Sequence, residues 1–257
     1  MVTISLDAAC VRLGRRLVVD GVSARLDAGA LVGIIGPNGA GKSTLLRAML
    51  GLVPLASGAV AIDGEAVPAM RRAAIARKLA YLPQGQLLHW PLTVERLVSL
   101  GRLPHLAPMS AMSPADIAAV ERAIERADVA GLRGRVATEL SGGERARVLL
   151  ARTLAVEAPA LLADEPLASL DPGHQIDVMA LLQREARAGA LVVTVLHDLT
   201  MAARYCDRLL LMDRGVLVAD GAPIDVLTAE RLRSVYGISA MIDPPMIVPI
   251  ARSPEPA

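Results

Sequence analysis

Short, almost wholly apolar runs punctuate the chain at 31–35, 59–62, 79–82, 160–163, 191–196 and 209–212. Each has the length of a strand and is too short for a helix. The runs are continuous where a half-exposed strand would alternate, the pattern of strands buried on both faces of a parallel sheet. Helical patterns separate them, which predicts an α/β core. Between Leu92 and Glu157 the strand-like runs stop. Ser113, Pro114 and Asp116 there have the spacing of a capped helix start, and the helix ahead is expected to stop at Gly101, with Pro104 beyond it. Residues 87–155 therefore read as a helical subdomain inserted into a core of residues 1–86 and 156–238. Residues 239–257, with Pro244, Pro245, Pro249, Pro254 and Pro256, are expected to form an extended or disordered tail. No internal repeat or heptad pattern is visible.

Composition narrows the classes. Hydrophobic residues make up 53% and the mean hydropathy is +0.46. The longest apolar runs nevertheless fall far short of a membrane span. The first ten residues do not read as a signal peptide, so a membrane role is expected only through a partner. A net charge of +1 and an aromatic content of 2% offer neither a basic field nor base-stacking rings, which argues against nucleic acid as the main ligand. Cys10 and Cys206 stand far apart with no metal-ligand spacing, and read as buried thiols of a reducing compartment, the cytoplasm.

The strongest local signal is Gly36-Pro37-Asn38-Gly39-Ala40-Gly41-Lys42-Ser43, with Thr44 next, between the run at 31–35 and a helix expected over 43–50. It fits the G-x-x-x-x-G-K-[ST] phosphate loop in its strand-loop-helix context. Glycines let backbone amides turn toward a polyanion, and the helix N-terminus adds about half a positive charge. Lys42 is expected on the β- and γ-phosphates and the Ser43 hydroxyl on magnesium, so ATP and Mg2+ are the expected ligands.

Downstream, the run at 160–163 ends in Asp164-Glu165, two carboxylates at the C-terminal edge where a parallel sheet presents its ligands. Asp164 is expected to hold magnesium through its water shell, and Glu165 to orient or deprotonate the attacking water. His197 follows the run at 191–196 and Gln84 follows the run at 79–82, so both emerge at the same edge.

Leu140-Ser141-Gly142-Gly143-Glu144, ahead of an arginine-rich helix, resembles the signature motif of ABC ATPases. The order phosphate loop, Gln84, signature, Asp164-Glu165, Ser169-Leu170-Asp171 and His197 is that family's order and spans nearly the whole chain. The resemblance implies a RecA-like P-loop NTPase core with an antiparallel β portion and an inserted helical subdomain. It also implies a head-to-tail dimer in which ATP on one phosphate loop meets Ser141, Gly142, Gly143 and Asp171 of a second copy. Gln84 then resembles the residue that senses magnesium and links to the transmembrane partner, and His197 the one that contacts the γ-phosphate.

Two finer readings follow. The family usually offers an aromatic ring to the adenine from the strand before the loop, where this chain has Leu13 and no aromatic before Tyr81. Relaxed base selectivity or weaker ATP binding is the expected consequence. Leu100-Gly101-Arg102-Leu103-Pro104-His105, together with His197-Asp198-Leu199 and Ala202-Ala203-Arg204-Tyr205, resembles the ATPases of importers for iron siderophores, haem and cobalamin. That resemblance implies permease subunits, an indirect link to a substrate-binding protein, and a place on the cytoplasmic face of the inner membrane. An exporter ATPase and a soluble ABC ATPase of repair or translation are the alternatives. The second of these usually carries another cassette, a coiled-coil insertion or a basic arm, none of which this sequence displays.

Overall fold

The computed structural model describes residues 1–85, 88, 90–107 and 109–252. The expected boundary at Leu87 and the prolines Pro254 and Pro256 lie outside the described residues. The chain opens with β1 (Thr3–Leu13) and β2 (Arg16–Asp27), an antiparallel hairpin in which buried Ile4, Leu6, Val22 and Leu26 alternate with more exposed neighbours. After β3 (Leu31–Ile35) and α1 (Lys42–Met49) come β4 (Ser57–Ile62) and the short β5 (Glu65–Ala66). The apolar run at 59–62 lies in β4, yet it does not join the parallel sheet. It pairs with β1 (Ile4↔Ile62, Leu6↔Val60) in a separate antiparallel sheet ordered β2-β1-β4-β5. Only Val60 and Ile62 are buried there, because Ala59 and Ala61 are small enough to face outward without cost.

The larger sheet has six strands. To β3 are added β6 (Leu79–Leu82), which follows α2 (Arg72–Lys78), and β7 (Ala160–Asp164), β8 (Leu191–Val195), β9 (Arg208–Asp213) and β10 (Val216–Gly221), in the order β10-β9-β3-β8-β7-β6. All neighbours are parallel except β10 against β9. Every residue of β3, β7 and β8 is buried, which is why these runs lack alternation. One core lies between this sheet and the antiparallel one around α1, with Ile34, Leu45, Leu162 and Val193. The other lies on the opposite face, with Leu31, Leu150, Leu182 and Val192. Because the strands are parallel, Ile35, Leu82, Asp164 and Val195 all end at one edge, in register as Leu82↔Ala163 and Asp164↔Val195. That edge gathers residues distant in sequence.

Between β6 and β7 the chain is helical: α3 (Val94–Ser99), a 3-10 turn over Leu100–His105, α4 (Pro114–Arg126) and α5 (Gly142–Leu154). Ser113 caps α4 in a reciprocal capping box with Asp116. Gly101 is not a left-handed helix terminus, as its spacing to Pro104 predicts; it sits inside the 3-10 turn, pressed against the end of α5. A Cβ there would stand 2.2 Å from the Arg152 carbonyl oxygen and 2.8 Å from Ala155 Cβ. Close approach, not a positive φ, requires the glycine. The neighbouring Arg102 is buried, with Nε 2.9 Å from Asp116 and one terminal nitrogen 2.8 Å from the Ala155 carbonyl.

After β7 come α6 (Pro172–Arg187), β8 and α7 (Leu199–Tyr205), and after β10 the helices α8 (Pro223–Val226) and α9 (Ala229–Tyr236). The expected extended or disordered tail is instead a hairpin, β11 (Ile238–Asp243) and β12 (Met246–Arg252), with Pro244 and Pro245 in its turn. Pro249 is tolerated because a two-stranded ribbon leaves each strand an unpaired outer edge. Thr200 Oγ1 donates to the Ile247 carbonyl at 2.9 Å and ties the hairpin to α7. Of the two cysteines, Cys206 is buried, as expected, while Cys10 is only partly covered.

Candidate functional site

Gly36, Gly39 and Gly41 have φ of +145°, +79° and +98°. At two of these positions neighbouring backbone also leaves no room for a side chain: a Cβ on Gly36 would lie 2.1 Å from the Met212 carbonyl oxygen, and one on Gly41 2.5 Å from that of Val18. The loop between β3 and α1 is therefore a backbone cradle. Gly41 caps α1 with no side-chain acceptor, and the first turn contains no acid. The opening N–H groups of the helix are left for an anion. Lys42 is buried, its Nζ donating to the Gly36 and Pro37 carbonyls at 2.8 and 3.0 Å. Burial lowers its pKa, and the nearby Glu165 and Asp164 work in the opposite direction. A phosphate would supply the missing counter-charge.

Asp164, the last residue of β7, is fully buried. It accepts from Ser43 Oγ at 2.7 Å and faces an Arg47 terminal nitrogen at 3.4 Å and the Tyr81 hydroxyl at 3.5 Å. Burial raises the Tyr81 pKa first, and Asp164 adds to the rise. Next in sequence, Glu165 adopts φ +53°, a left-handed conformation that costs about 1–2 kcal/mol for a residue with a Cβ. The turn sends its carboxylate between two neighbouring strand ends. Oε1 is 2.7 Å from His197 Nε2, and Oε2 accepts from Gln84 Nε2 at 2.8 Å. Gln84, Glu165 and His197 thus form one contact chain contributed by β6, β7 and β8.

These groups border a cavity of about 350 Å³ whose walls include Asn38 to Thr44, Glu165 and His197 together with Leu13, Arg16 and Val18 of the β1–β2 hairpin. Leu13 is half exposed there. A larger hollow of about 730 Å³ lies between the end of α1 and β4, but neither the phosphate loop nor the strand-end acids border it. Size alone does not mark the site.

Ser141 is the N-cap of α5: its Oγ accepts from Glu144 N at 3.3 Å and its N–H donates to Glu144 at 2.9 Å. The signature residues do not line the phosphate-loop cavity of their own chain. Gly142 borders a separate cavity of about 220 Å³ that shares only Glu165 with the first. Asp171, the N-cap of α6, accepts from His174 N at 3.1 Å and from His174 Nδ1 at 2.6 Å. The His174 ring packs where a Cβ on Gly143 would stand, so Asp171 and Gly143 are joined through it. His174, Arg47 and Arg16 have no motif to announce them. The available signals are helical spacing, Arg47 four residues after Ser43 and His174 three after Asp171, and the hairpin partnership of Arg16 with Leu13.

The donors near the loop, a hydroxyl, a carboxylate and the amide oxygen of Gln84, are hard oxygens of the kind that suit magnesium. Among the described residues no cluster of three or more histidine, cysteine, aspartate or glutamate side chains forms a self-sufficient metal cage. A cation here would need phosphate oxygens or water to complete its shell.

A family model described as ABC transporter matches residues 19–168. The hemin import ATP-binding protein HmuV of Streptomyces coelicolor is 47% identical over 88% of this chain and 80% of its own length. The cobalamin import ATP-binding protein BtuD of Halobacterium salinarum is 44% identical over 91% of this chain, which spans 58% of that relative. Among solved structures, a dimeric bacterial ABC transporter cassette superposes with a TM-score of 0.73 at 27% identity, over 86% of this chain and 98% of the cassette.

Proposed function

The chain belongs to the ABC transporter family, and from that membership we propose that it is the ATP-hydrolysing subunit of an importer for haem, another iron chelate or cobalamin. The names of its relatives support the cargo class. Two copies assemble head to tail, so that ATP on the phosphate loop of one is closed over by Ser141, Gly142 and Gly143 of the other, with Asp171 crossing between them. The separation of the signature residues from their own chain's phosphate cavity supports this arrangement. Permease subunits receive the motion, and a substrate-binding protein delivers cargo to them. Among the described residues no helix is long and apolar enough to cross a membrane, in keeping with peripheral attachment at the cytoplasmic face of the inner membrane.

The observation that carries the reading is the meeting of Lys42, Ser43, Asp164 and the Gln84–Glu165–His197 chain at one sheet edge. The loop amides and Lys42 neutralise the β- and γ-phosphates. Magnesium, held by Ser43, Gln84 and, through water, Asp164, would supply further charge neutralisation at the phosphate oxygens. Glu165 takes a proton from the water that attacks the γ-phosphorus as the bond to the β-γ bridging oxygen breaks, giving ADP and phosphate. His197, already 2.7 Å from Glu165, fixes that carboxylate and meets the γ-phosphate. The chemistry is positioning and charge placement. Glu165→Gln should keep ATP affinity while steady-state phosphate release falls by roughly a hundredfold or more. Near-normal turnover in that variant would remove Glu165 from this role, and loss of ATP binding would show it to be part of the binding surface instead.

A further inference from the structure

The β1–β2 hairpin forms one wall of the phosphate-loop cavity, where Leu13 pairs with Arg16 across a turn made by Gly14 and Arg15. Arg16 lines the cavity beside Leu13 and Val18, while Arg12 and Arg15 of the same hairpin do not. Among the described residues no Trp, Tyr or Phe borders this space, and His197, whose ring does, is held to Glu165. The chain has one Trp, three Tyr and no Phe, and the first of these, Tyr81, is already turned toward Asp164. Several arginines elsewhere are committed to carboxylates, Arg25 to Asp27, Arg102 to Asp116, Arg126 to Glu185 and Arg208 to Asp220. Among the described residues no carboxylate stands within 4.0 Å of Arg16. Arg16 is exposed, so its guanidinium is solvated and free to meet a ligand in the cavity that it lines beside Leu13.

We propose that the Arg16 guanidinium is the flat surface on which the nucleotide base rests, in the place of an aromatic ring. This rests on the assignment of the cavity to ATP and adds a residue that determines base recognition. A guanidinium is planar, delocalised and weakly hydrated, and it stacks on π-faces where an ammonium cannot. The phosphate end is already supplied by Lys42 and the loop amides. The base is the part of the nucleotide left without a polar or stacking partner. Leu13 and Val18 give the apolar floor beside it, and Arg16 supplies attraction to the ring. Stacking of this kind is tolerant of base identity, because every base offers a π-face. The hairpin therefore grips a purine without choosing strongly between adenine and guanine.

The test is calorimetric titration of the wild-type chain and single variants with three probes, MgATP, MgGTP and magnesium tripolyphosphate. Arg16→Ala should weaken ATP and GTP alike by roughly five- to thirtyfold and leave tripolyphosphate unchanged. Arg16→Tyr should restore nucleotide affinity, Arg16→Lys should not, and Arg15→Ala should behave as wild type. Unchanged ATP affinity in Arg16→Ala overturns the proposal. So does an equal loss for tripolyphosphate with recovery in Arg16→Lys, which would make Arg16 a phosphate contact. A wild-type chain that binds neither nucleotide, or a Lys42→Ala variant that binds as well as wild type, would instead remove the assignment of the cavity to ATP and the proposal with it.

Discussion

Gly101→Ala probes the joint between the 3-10 turn and the signature helix. The new methyl group would stand 2.2 Å from the carbonyl oxygen of Arg152 and 2.8 Å from Ala155 Cβ. Comfortable carbon contacts begin near ~3.5 Å, so the deficit against the carbonyl is about 1 Å or more. The obstacle is backbone at the end of α5 and cannot rotate away. Overpacking of this kind costs about 1–3 kcal/mol, and an obstacle made of backbone belongs at the upper end. Alanine returns about 0.4–1 kcal/mol by reducing the freedom of the unfolded chain, because the φ of Gly101 is not positive. The net loss is about 2 kcal/mol, or roughly 4–8 °C in Tm for a chain of this size. The assay is thermal unfolding of Gly101→Ala beside Gly134→Ala, whose Cβ would meet nothing within 4 Å and which should unfold at the wild-type temperature or slightly above. Gly101→Asn separates the two roles a glycine could have here. A left-handed helix terminus accepts asparagine, whereas this packed contact should reject it at least as strongly as alanine. A Tm within 1 °C of wild type for both Gly101 variants would refute the close approach.

Other consequences can be measured directly. Burial pushes the Cys206 thiol up to about 12, so in native protein near pH 8 a thiol reagent should titrate Cys10 quickly and Cys206 only on unfolding. The raised value means that the folded chain retains a proton which the unfolded chain releases near the usual thiol range of about 8.5. Stability from this group is complete below that pH and declines as pH rises toward 12, and Cys206→Ala should flatten that part of a pH–stability curve from chemical denaturation. Gln84→Glu sets a second carboxylate where Nε2 now stands 2.8 Å from Glu165. One of the pair must then hold a proton, and the acidic limb of the ATPase pH profile should move upward by about a unit or more. An unshifted limb would mean that Gln84 and Glu165 are apart in the working enzyme. Thr200→Val removes both bonds to Ile247 and should expose the β11–β12 hairpin to protease and amide exchange while ATP affinity stays at the wild-type value.

The parts of the fold written plainly in the sequence are those in which local pattern and burial agree. Continuous apolar runs marked β3, β6, β7, β8 and β9 because both faces of that sheet are covered. The phosphate loop was legible because its glycines are required by backbone geometry, at +145° and +98° for Gly36 and Gly41, and not by packing alone. β1 and β2 were missed as strands because one face of their sheet is open, and a period-two signal in small and polar residues is weak. The hairpin at the C-terminus was missed for a different reason: its prolines argue against a sheet, yet Pro244 and Pro245 fall in the turn and Pro249 is accommodated by the unpaired outer edge of a two-stranded ribbon.

Residue types and their order were thus the sequence's to determine: a phosphate-binding loop, carboxylates after a buried strand, a glutamine and a histidine after two others, and a capped signature helix. Which of these touch was decided only by the tertiary structure. Parallel pairing puts the ends of β6, β7 and β8 side by side, and the left-handed turn at Glu165 then brings its carboxylate to Gln84 and His197. Gly101 could not be told from a helix cap, because close approach by α5 leaves no mark in its neighbours' composition. Arg16 carries no motif. It gains a meaning only when the β1–β2 hairpin packs on the phosphate loop and places Arg16 on the wall of the same cavity, beside Leu13.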